Sequence, residues 1–101
     1  KNPTALLGIG CALQSRGNNK KAIEYYFKAL DNSKTKEIEY TLIGTVYYQT
    51  DDLDNAIKYF NLAIDANNNY DEAYEGRNQA MLENHLKIID LQDSLIKRNL
   101  F

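Results

Sequence analysis

The chain repeats itself at a spacing of 34 residues, and this repeat constrains the fold more than any other feature. When residues 3–36 are laid over residues 37–70, the identical pairs are Ile9/Ile43, Gly10/Gly44, Ala22/Ala56, Ile23/Ile57, Tyr25/Tyr59, Ala29/Ala63 and Asp31/Asp65. A period of this length is typical of stacked arrays, whose units bury their apolar faces only against their neighbours. Such arrays present an extended surface rather than a closed pocket. The repeat therefore indicates a binding scaffold.

Each unit carries the signals of two helices. In the first unit, Asn2-Pro3 supplies a polar cap and a proline at the first helical position, and Gly17 ends that helix. Apolar residues then recur at helical spacing in two runs per unit. The runs are Leu6, Ile9, Leu13 and Ala22, Ile23, Tyr26, Ala29, Leu30, and in the second unit Tyr40, Ile43, Tyr47 and Ala56, Ile57, Phe60, Ala63, Ile64. We expect two helical hairpins, at 3–36 and 37–70.

Residues 71–101 follow the repeat only in part. Arg77-Asn78 stand where the earlier units have Ile-Gly, and no glycine or proline marks a turn near residues 85–87. Large residues instead recur every seven positions, at Tyr74, Met81, Ile88 and Leu95. This ladder predicts one long helix at 71–99 that covers the apolar flank of the second unit. The whole chain, 1–101, is then a single domain.

The paired units resemble the tetratricopeptide repeat. That family has a large residue, a leucine-like residue followed by glycine, and an aromatic residue in its first helix, with small, aromatic and small residues in its second. The matching residues are Leu6, Ile9, Gly10, Leu13, Ala22, Tyr26 and Ala29, then Tyr40, Ile43, Gly44, Tyr47, Ala56, Phe60 and Ala63. Lys34 and Asn68 replace the proline that ends many family repeats. The resemblance implies an all-α fold of right-handed superhelical hairpins, an α-solenoid with a long C-terminal capping helix.

In the tetratricopeptide family, the first helices of successive repeats line a concave groove. Carried over, the groove residues would be Leu7, Cys11, Gln14, Thr41, Thr45, Tyr48, Gln49, Glu75 and Gln79, together with Thr4, Ser15, Leu42, Glu72 and Glu83. One subset of the family grips the C-terminal carboxylate of chaperones with lysine, asparagine and arginine. The corresponding residues here are Leu7, Cys11, Leu42, Glu72 and Gly76. With no cation or amide in place, the resemblance implies that this clamp is absent.

The composition argues against several other functions. The net charge of −2 gives no overall basic field for nucleic acid, although residues 1–36 are basic and residues 37–70 are acidic. No apolar run approaches the length of a membrane span. His85 lacks partner ligands, Gly8-Ile9-Gly10 lacks the third glycine of a dinucleotide site, and no catalytic set is present. We expect no enzyme activity, no cofactor and no metal.

The single cysteine, Cys11, leaves no internal disulfide and fits a reducing compartment, with the cytoplasm as the default location. We interpret it as a small semi-buried hydrophobe, since no cation or helix N-terminus stands beside it to form a reactive thiolate.

We expect a protein–protein interaction module, part of a larger protein, that binds a partner peptide in the concave groove. Acidic residues at one end favour a ligand of mixed apolar and basic character. The alternative is a structural module that self-associates or packs against a neighbouring domain. A second apolar row on the last helix favours weak homodimerisation through residues 86–101; it comprises Leu82, Leu86, Ile89, Ile96 and Leu100.

Overall fold

The computed structural model describes residues 2–99. Lys1, Leu100 and Phe101 of the predicted domain lie outside the described residues, and the last two of these also belong to the predicted dimer surface. Within that range the chain is all-α. Its five helices are α1 (Pro3–Ser15), α2 (Asn19–Leu30), α3 (Lys36–Gln49), α4 (Leu53–Ala66) and α5 (Asp71–Asn99). No helix in this range is both long enough and apolar enough to cross a membrane. The radius of gyration is 16.3 Å, against about 13 Å for a compact domain of this length, so the array is elongated.

The ends of the first four helices follow from local sequence. Asn2 caps α1 by accepting a hydrogen bond from the backbone N–H of Thr4 at 2.9 Å. Asp52 caps α4 in the same way, accepting from the N–H of Asn55 at 3.3 Å. Between α1 and α2, Gly17 has a φ of 81°, and its repeat equivalent Asp51 has a φ of 65°. Aspartate tolerates this left-handed conformation better than most residues, so both hairpins turn alike.

Within each hairpin, an aromatic ring from the second helix lies on a glycine of the first. A Cβ atom added to Gly10 would lie 2.5 Å from the ring of Tyr26, and one added to Gly44 would lie 2.9 Å from the ring of Phe60. Both rings are buried, as is Ala56 in the second hairpin. Side chains at these glycines would occupy the space of the rings. The repeated glycines therefore set the distance between the paired helices.

The core has two clusters, and each joins consecutive elements. Ala22 and Tyr26 of α2 pack with Ile43 and Val46 of α3, which attaches the first hairpin to the second. The second cluster joins α4 to α5 and comprises Leu53, Ala56, Phe60 and Ala80. Tyr47 packs against both clusters. Its ring stacks on that of Tyr59 at 5.6 Å. Tyr59 also meets Phe27 of α2 edge-on at 5.7 Å, so aromatic contacts tie the two hairpins together.

Helix α5 is continuous, but it packs through different residues from those that the seven-residue ladder predicts. Its buried residues are Ala73 and Ala80, whereas Met81, Ile88 and Leu95 of the ladder are 45–56% exposed. The predicted covering role of that ladder is therefore wrong. The physical reason is close approach: a Cβ atom on Gly76 would lie 2.4 Å from the Phe60 ring, so only small residues fit between α5 and α4.

Replacing Gly44 with leucine should lower the free energy of unfolding by about 1–3 kcal/mol, because the added atoms overlap the Phe60 ring. That ring cannot retreat freely, since it also touches Gly76 of α5. Thermal or urea unfolding measures the effect. Gly8→Ala is the matched control: nothing lies within 4 Å of a Cβ atom there, and alanine favours helix by up to about 1 kcal/mol over glycine. Equal stability of Gly44→Leu and wild type would contradict this packing.

Candidate functional site

The first helices of the hairpins lie beside one another and are joined by side-chain hydrogen bonds. Gln14 of α1 donates through Nε2 to Oε1 of Gln49 in α3 at 3.1 Å. The Tyr48 hydroxyl of α3 donates to Oε1 of Glu83 in α5 at 2.7 Å. In both pairs the partners are 35 residues apart, which reflects the repeat. Helices α1, α3 and α5 therefore form one continuous row, and their joined side chains lie at the surface that we call the groove.

The predicted groove residues differ in how much of them a ligand could touch. Cys11, Gln49, Glu75 and Gln79 are exposed, and Leu7, Gln14, Thr45 and Tyr48 are half-buried. Thr41 is only 9% exposed, and its hydroxyl oxygen has no hydrogen-bond partner among the described residues. The Thr45 hydroxyl instead donates to the Thr41 carbonyl at 2.8 Å. The row thus offers a mixed surface of amides, a thiol, an aromatic ring and a carboxylate.

Cys11 and Gln14 meet the buried ring of Tyr26 at the first hairpin. The Tyr26 hydroxyl lies 2.6 Å from Oε1 of Gln14 and 3.5 Å from Sγ of Cys11. Burial of this hydroxyl, followed by its contact with Cys11, raises the pKa of Tyr26 above the ordinary tyrosine value. Cys11 itself is exposed, so the expected semi-buried placement is wrong. The Tyr26 hydroxyl of α2 contacts the thiol but leaves it exposed.

The other end of the row is acidic. Glu72, Glu75 and Glu83 are exposed on α5, and Glu83 accepts the hydrogen bond from Tyr48. This bond raises the pKa of the Tyr48 hydroxyl, because it stabilises the protonated form. Lys87 forms an exposed ion pair with Asp51 at 2.6 Å and is not paired with any of the three glutamates. No cluster of side chains suited to a metal ion occurs among residues 2–99.

One residue that the sequence analysis did not single out lies beside two of the predicted groove residues. Glu39 of α3 is fully buried, and it lines an open cleft of about 330 Å³ between the start of α1 and the α2–α3 loop. Leu7 and Thr4 form the α1 wall of the same cleft. The repeat register carried a signal, since residues 5 and 73, at the positions equivalent to 39, are both alanine. In α5 the alanine at this position is buried, and a buried acid is unusual.

A second cleft lies between α2 and α3, away from the predicted groove residues. Its volume is about 600 Å³, and its lining includes Ile23, Glu24 and Phe27 of α2 with Val46 and Tyr47 of α3. The surface of this cleft is chiefly apolar, and its charged residues are Lys20 and Glu24. It is the main rival to the groove as a ligand-binding surface.

Comparison with known proteins identifies the class. Tetratricopeptide repeat profiles match residues 5–38 and residues 40–70. The chain belongs to the tetratricopeptide repeat family. Such repeats are generally non-catalytic modules for protein interaction. A search of curated protein sequences finds no match.

Among solved structures, the chain is similar to the first tetratricopeptide repeat domain of Spaghetti (RPAP3), bound to an HSP90 peptide of sequence SRMEEVD. The sequence identity is 25% and the TM-score is 0.75. The match covers 80% of this chain and 64% of that one, so the chain spans less than two thirds of the matched structure's length.

Several tyrosines should ionise only at unusually high pH in the folded protein. Burial, and then the hydrogen bond to Glu72, raises the pKa of Tyr70 to about 12. The unfolded chain releases this proton near pH 10. The contribution of Tyr70 to the free energy of unfolding is therefore fully present below about pH 10, and it is lost as the pH rises from 10 towards 12.

Absorbance at 295 nm should show delayed ionisation in the folded protein, and the melting temperature should fall between pH 10 and 12. In Tyr70→Phe the fall should be shallower, since one proton fewer is released on unfolding. A single ionisation wave at pH 10 for all tyrosines of the folded chain would contradict this prediction.

Proposed function

We propose that the groove formed by α1, α3 and α5 binds an extended or helical segment of a partner protein. The observation that carries the proposal is the row of first helices, joined through Gln14–Gln49 and Tyr48–Glu83. Hydrogen bonds between neighbouring helices hold these side chains in place before a ligand arrives. A preorganised surface loses less conformational entropy on binding. The half-buried Tyr48 ring supplies the rigid aromatic contact that interfaces favour.

The chemistry of the groove favours a ligand with apolar and basic side chains. The similar domain of Spaghetti binds an HSP90 peptide that ends in two glutamates, a valine and an aspartate. This chain has Leu7, Cys11, Leu42, Glu72 and Gly76 at the positions that the resemblance assigns to an acid-binding clamp. None of these side chains is cationic. Glu72 and Glu75 would repel an acidic ligand and attract lysine or arginine, chiefly by raising the association rate.

Charge reversal on α5 tests this proposal. We expect Glu75→Lys to weaken binding of the basic peptides selected on a peptide array by about three- to tenfold, more at low salt than at high salt. Glu75 is exposed, so the fold should tolerate the change. The matched control is Glu24→Lys, which makes the same exposed charge reversal in the α2–α3 cleft.

The two variants separate the two surfaces. Binding that weakens in Glu75→Lys and persists in Glu24→Lys supports the groove. The opposite pattern would place the ligand in the α2–α3 cleft and overturn the proposal. An array that selects acidic peptides would contradict the proposed ligand chemistry. Tyr48→Ala, which removes the aromatic contact, should also reduce binding, provided that its melting curve remains cooperative.

A second candidate function is self-association through α5, favoured by the exposure of its apolar residues. Eight large apolar side chains of this helix are 44–65% exposed: Met81, Leu82, Leu86, Ile88, Ile89, Leu91, Leu95 and Ile96. After Lys87, which pairs with Asp51 of the second hairpin, every described residue of the helix is exposed. Contiguous apolar surface of this kind commonly marks an interface. A second copy of the helix would bury the row that contains Leu86 and Ile96.

We expect sedimentation to detect a weak, concentration-dependent dimer that depends little on salt, because apolar burial drives it. The double variant Leu86→Glu/Ile96→Glu should be monomeric. The control Ser94→Glu/Arg98→Gln changes the net charge equally on another face of the helix and should still dimerise. If the wild-type chain stays monomeric at high micromolar concentration, self-association is excluded. Packing of α5 against a neighbouring domain is then the favoured alternative.

A further inference from the structure

The side chain of Glu39 is a buried acid with nothing to compensate it among residues 2–99. Its exposed fraction is 0%, and neither carboxylate oxygen has a hydrogen-bond partner in that range. The ion pairs found in the described chain, Lys87–Asp51 and Lys97–Asp93, do not involve it. Removing a carboxylate from water is costly unless a cation or several donors replace the water. A partner cation would offset this cost.

The cleft beside Glu39 has room for such a partner. Its volume of about 330 Å³ is at the lower end of the range for ligand pockets. Thr4 and Leu7 of α1 form one wall, and Ser33, Lys34 and Thr35 of the α2–α3 loop form another. Because Thr4 and Leu7 are also predicted groove residues, the cleft opens at the α1 end of the groove. It lies at the opposite end of the row from the glutamates of α5.

We propose that this cleft is a subsite for one basic side chain of the bound segment, whose guanidinium or ammonium group pairs with Glu39 once the groups that cover the buried carboxylate move aside. The proposal rests on the groove being the peptide-binding surface. The Thr4 and Thr35 hydroxyl groups at the cleft walls can accept further N–H hydrogen bonds, and charge-assisted bonds of this kind are the strong ones. The apolar side chain of Leu7 suits the methylene groups that precede the charge.

The repeat shows that the carboxylate is not needed for packing. Residues 5 and 73 occupy the positions equivalent to 39 in the first unit and in α5, and both are alanine. Ala73 is fully buried, so a methyl group satisfies the packing of the same position in α5. Lys34 is the chain's own cation at the cleft, and it is exposed rather than paired with Glu39. It should compete with an incoming basic side chain.

A pair of small probes tests the subsite without a known partner. N-acetyl-arginine amide and N-acetyl-citrulline amide have nearly the same shape, but only the first is charged. Titrated into the ¹⁵N-labelled chain, the arginine probe should shift the amide signals of Thr4, Leu7 and Thr35 saturably. The citrulline probe should bind about tenfold more weakly, as expected for loss of one charge-assisted bond. Lys34→Gln, alone or with Lys1→Gln, should tighten arginine binding by removing competing cations.

Substitution of the acid completes the test. Glu39→Gln keeps the shape and should abolish the preference for arginine over citrulline, whereas the control Glu24→Gln, at an exposed glutamate outside the groove and this cleft, should keep it. Glu39→Met, an apolar replacement of similar length, serves if the glutamine variant does not fold. Equal binding of the two probes in the Lys1→Gln/Lys34→Gln variant, or an arginine preference that survives Glu39→Gln, would overturn the proposal.

The experiments distinguish failure of the Glu39 subsite from failure of the peptide-binding groove. Peptide binding that responds to Glu75→Lys but not to Glu39→Gln would leave the groove standing and overturn the subsite alone. Loss of peptide binding to the groove, with the arginine preference intact, would instead contradict the proposed peptide ligand and keep the cation site.

Discussion

The structure depends on the contact between an aromatic ring and the backbone of a neighbouring helix. Tyr26 lies on Gly10, and Phe60 lies on both Gly44 and Gly76. Because a ring can approach so closely only where no Cβ atom intervenes, the glycines determine which helices pair and how near they come. The row of α1, α3 and α5 is continuous because Phe60 of α4 lies on glycines of both α3 and α5. In the first hairpin, Tyr26 of α2 lies on Gly10 of α1 and packs with Ile43 and Val46 of α3.

Much of this arrangement could be predicted from the sequence, because the constraint that produces it is periodic. The 34-residue register identified the ring and glycine pairs of both hairpins, the paired helices and the family. The same register did not predict burial correctly where identical residues of the two units have different neighbouring helices. Ile9 and Ile43 are identical in sequence, yet Ile9 is 45% exposed and Ile43 is fully buried. Only Ile43 has a preceding hairpin packed against it. Cys11 was misplaced because its contact with the Tyr26 hydroxyl of α2 leaves the thiol exposed.

The last helix shows a second limit of sequence reasoning. Its ladder of large residues predicted its length well and its packing poorly. Large apolar side chains identify an amphipathic face, but close packing against Phe60 selects the small residues Ala73, Gly76 and Ala80. The hydrophobicity of the side chains alone does not indicate how closely two helices pack. Glu39 was overlooked because an acid on a helix is ordinarily exposed, and only the three-dimensional contacts show that this one is not.

The hydrogen bonds that join successive first helices also have a mechanical consequence. Gln14–Gln49 links α1 to α3, and Tyr48–Glu83 links α3 to α5. Each bond spans one step of the array on the groove side, whereas the stacked rings of Tyr47 and Tyr59 fasten α3 to α4 within the second hairpin. Flattening the array would stretch the polar links while leaving that stacked pair in contact. Curvature and groove width are therefore coupled, and a ligand that replaces these links at the groove would also set how tightly the solenoid is wound.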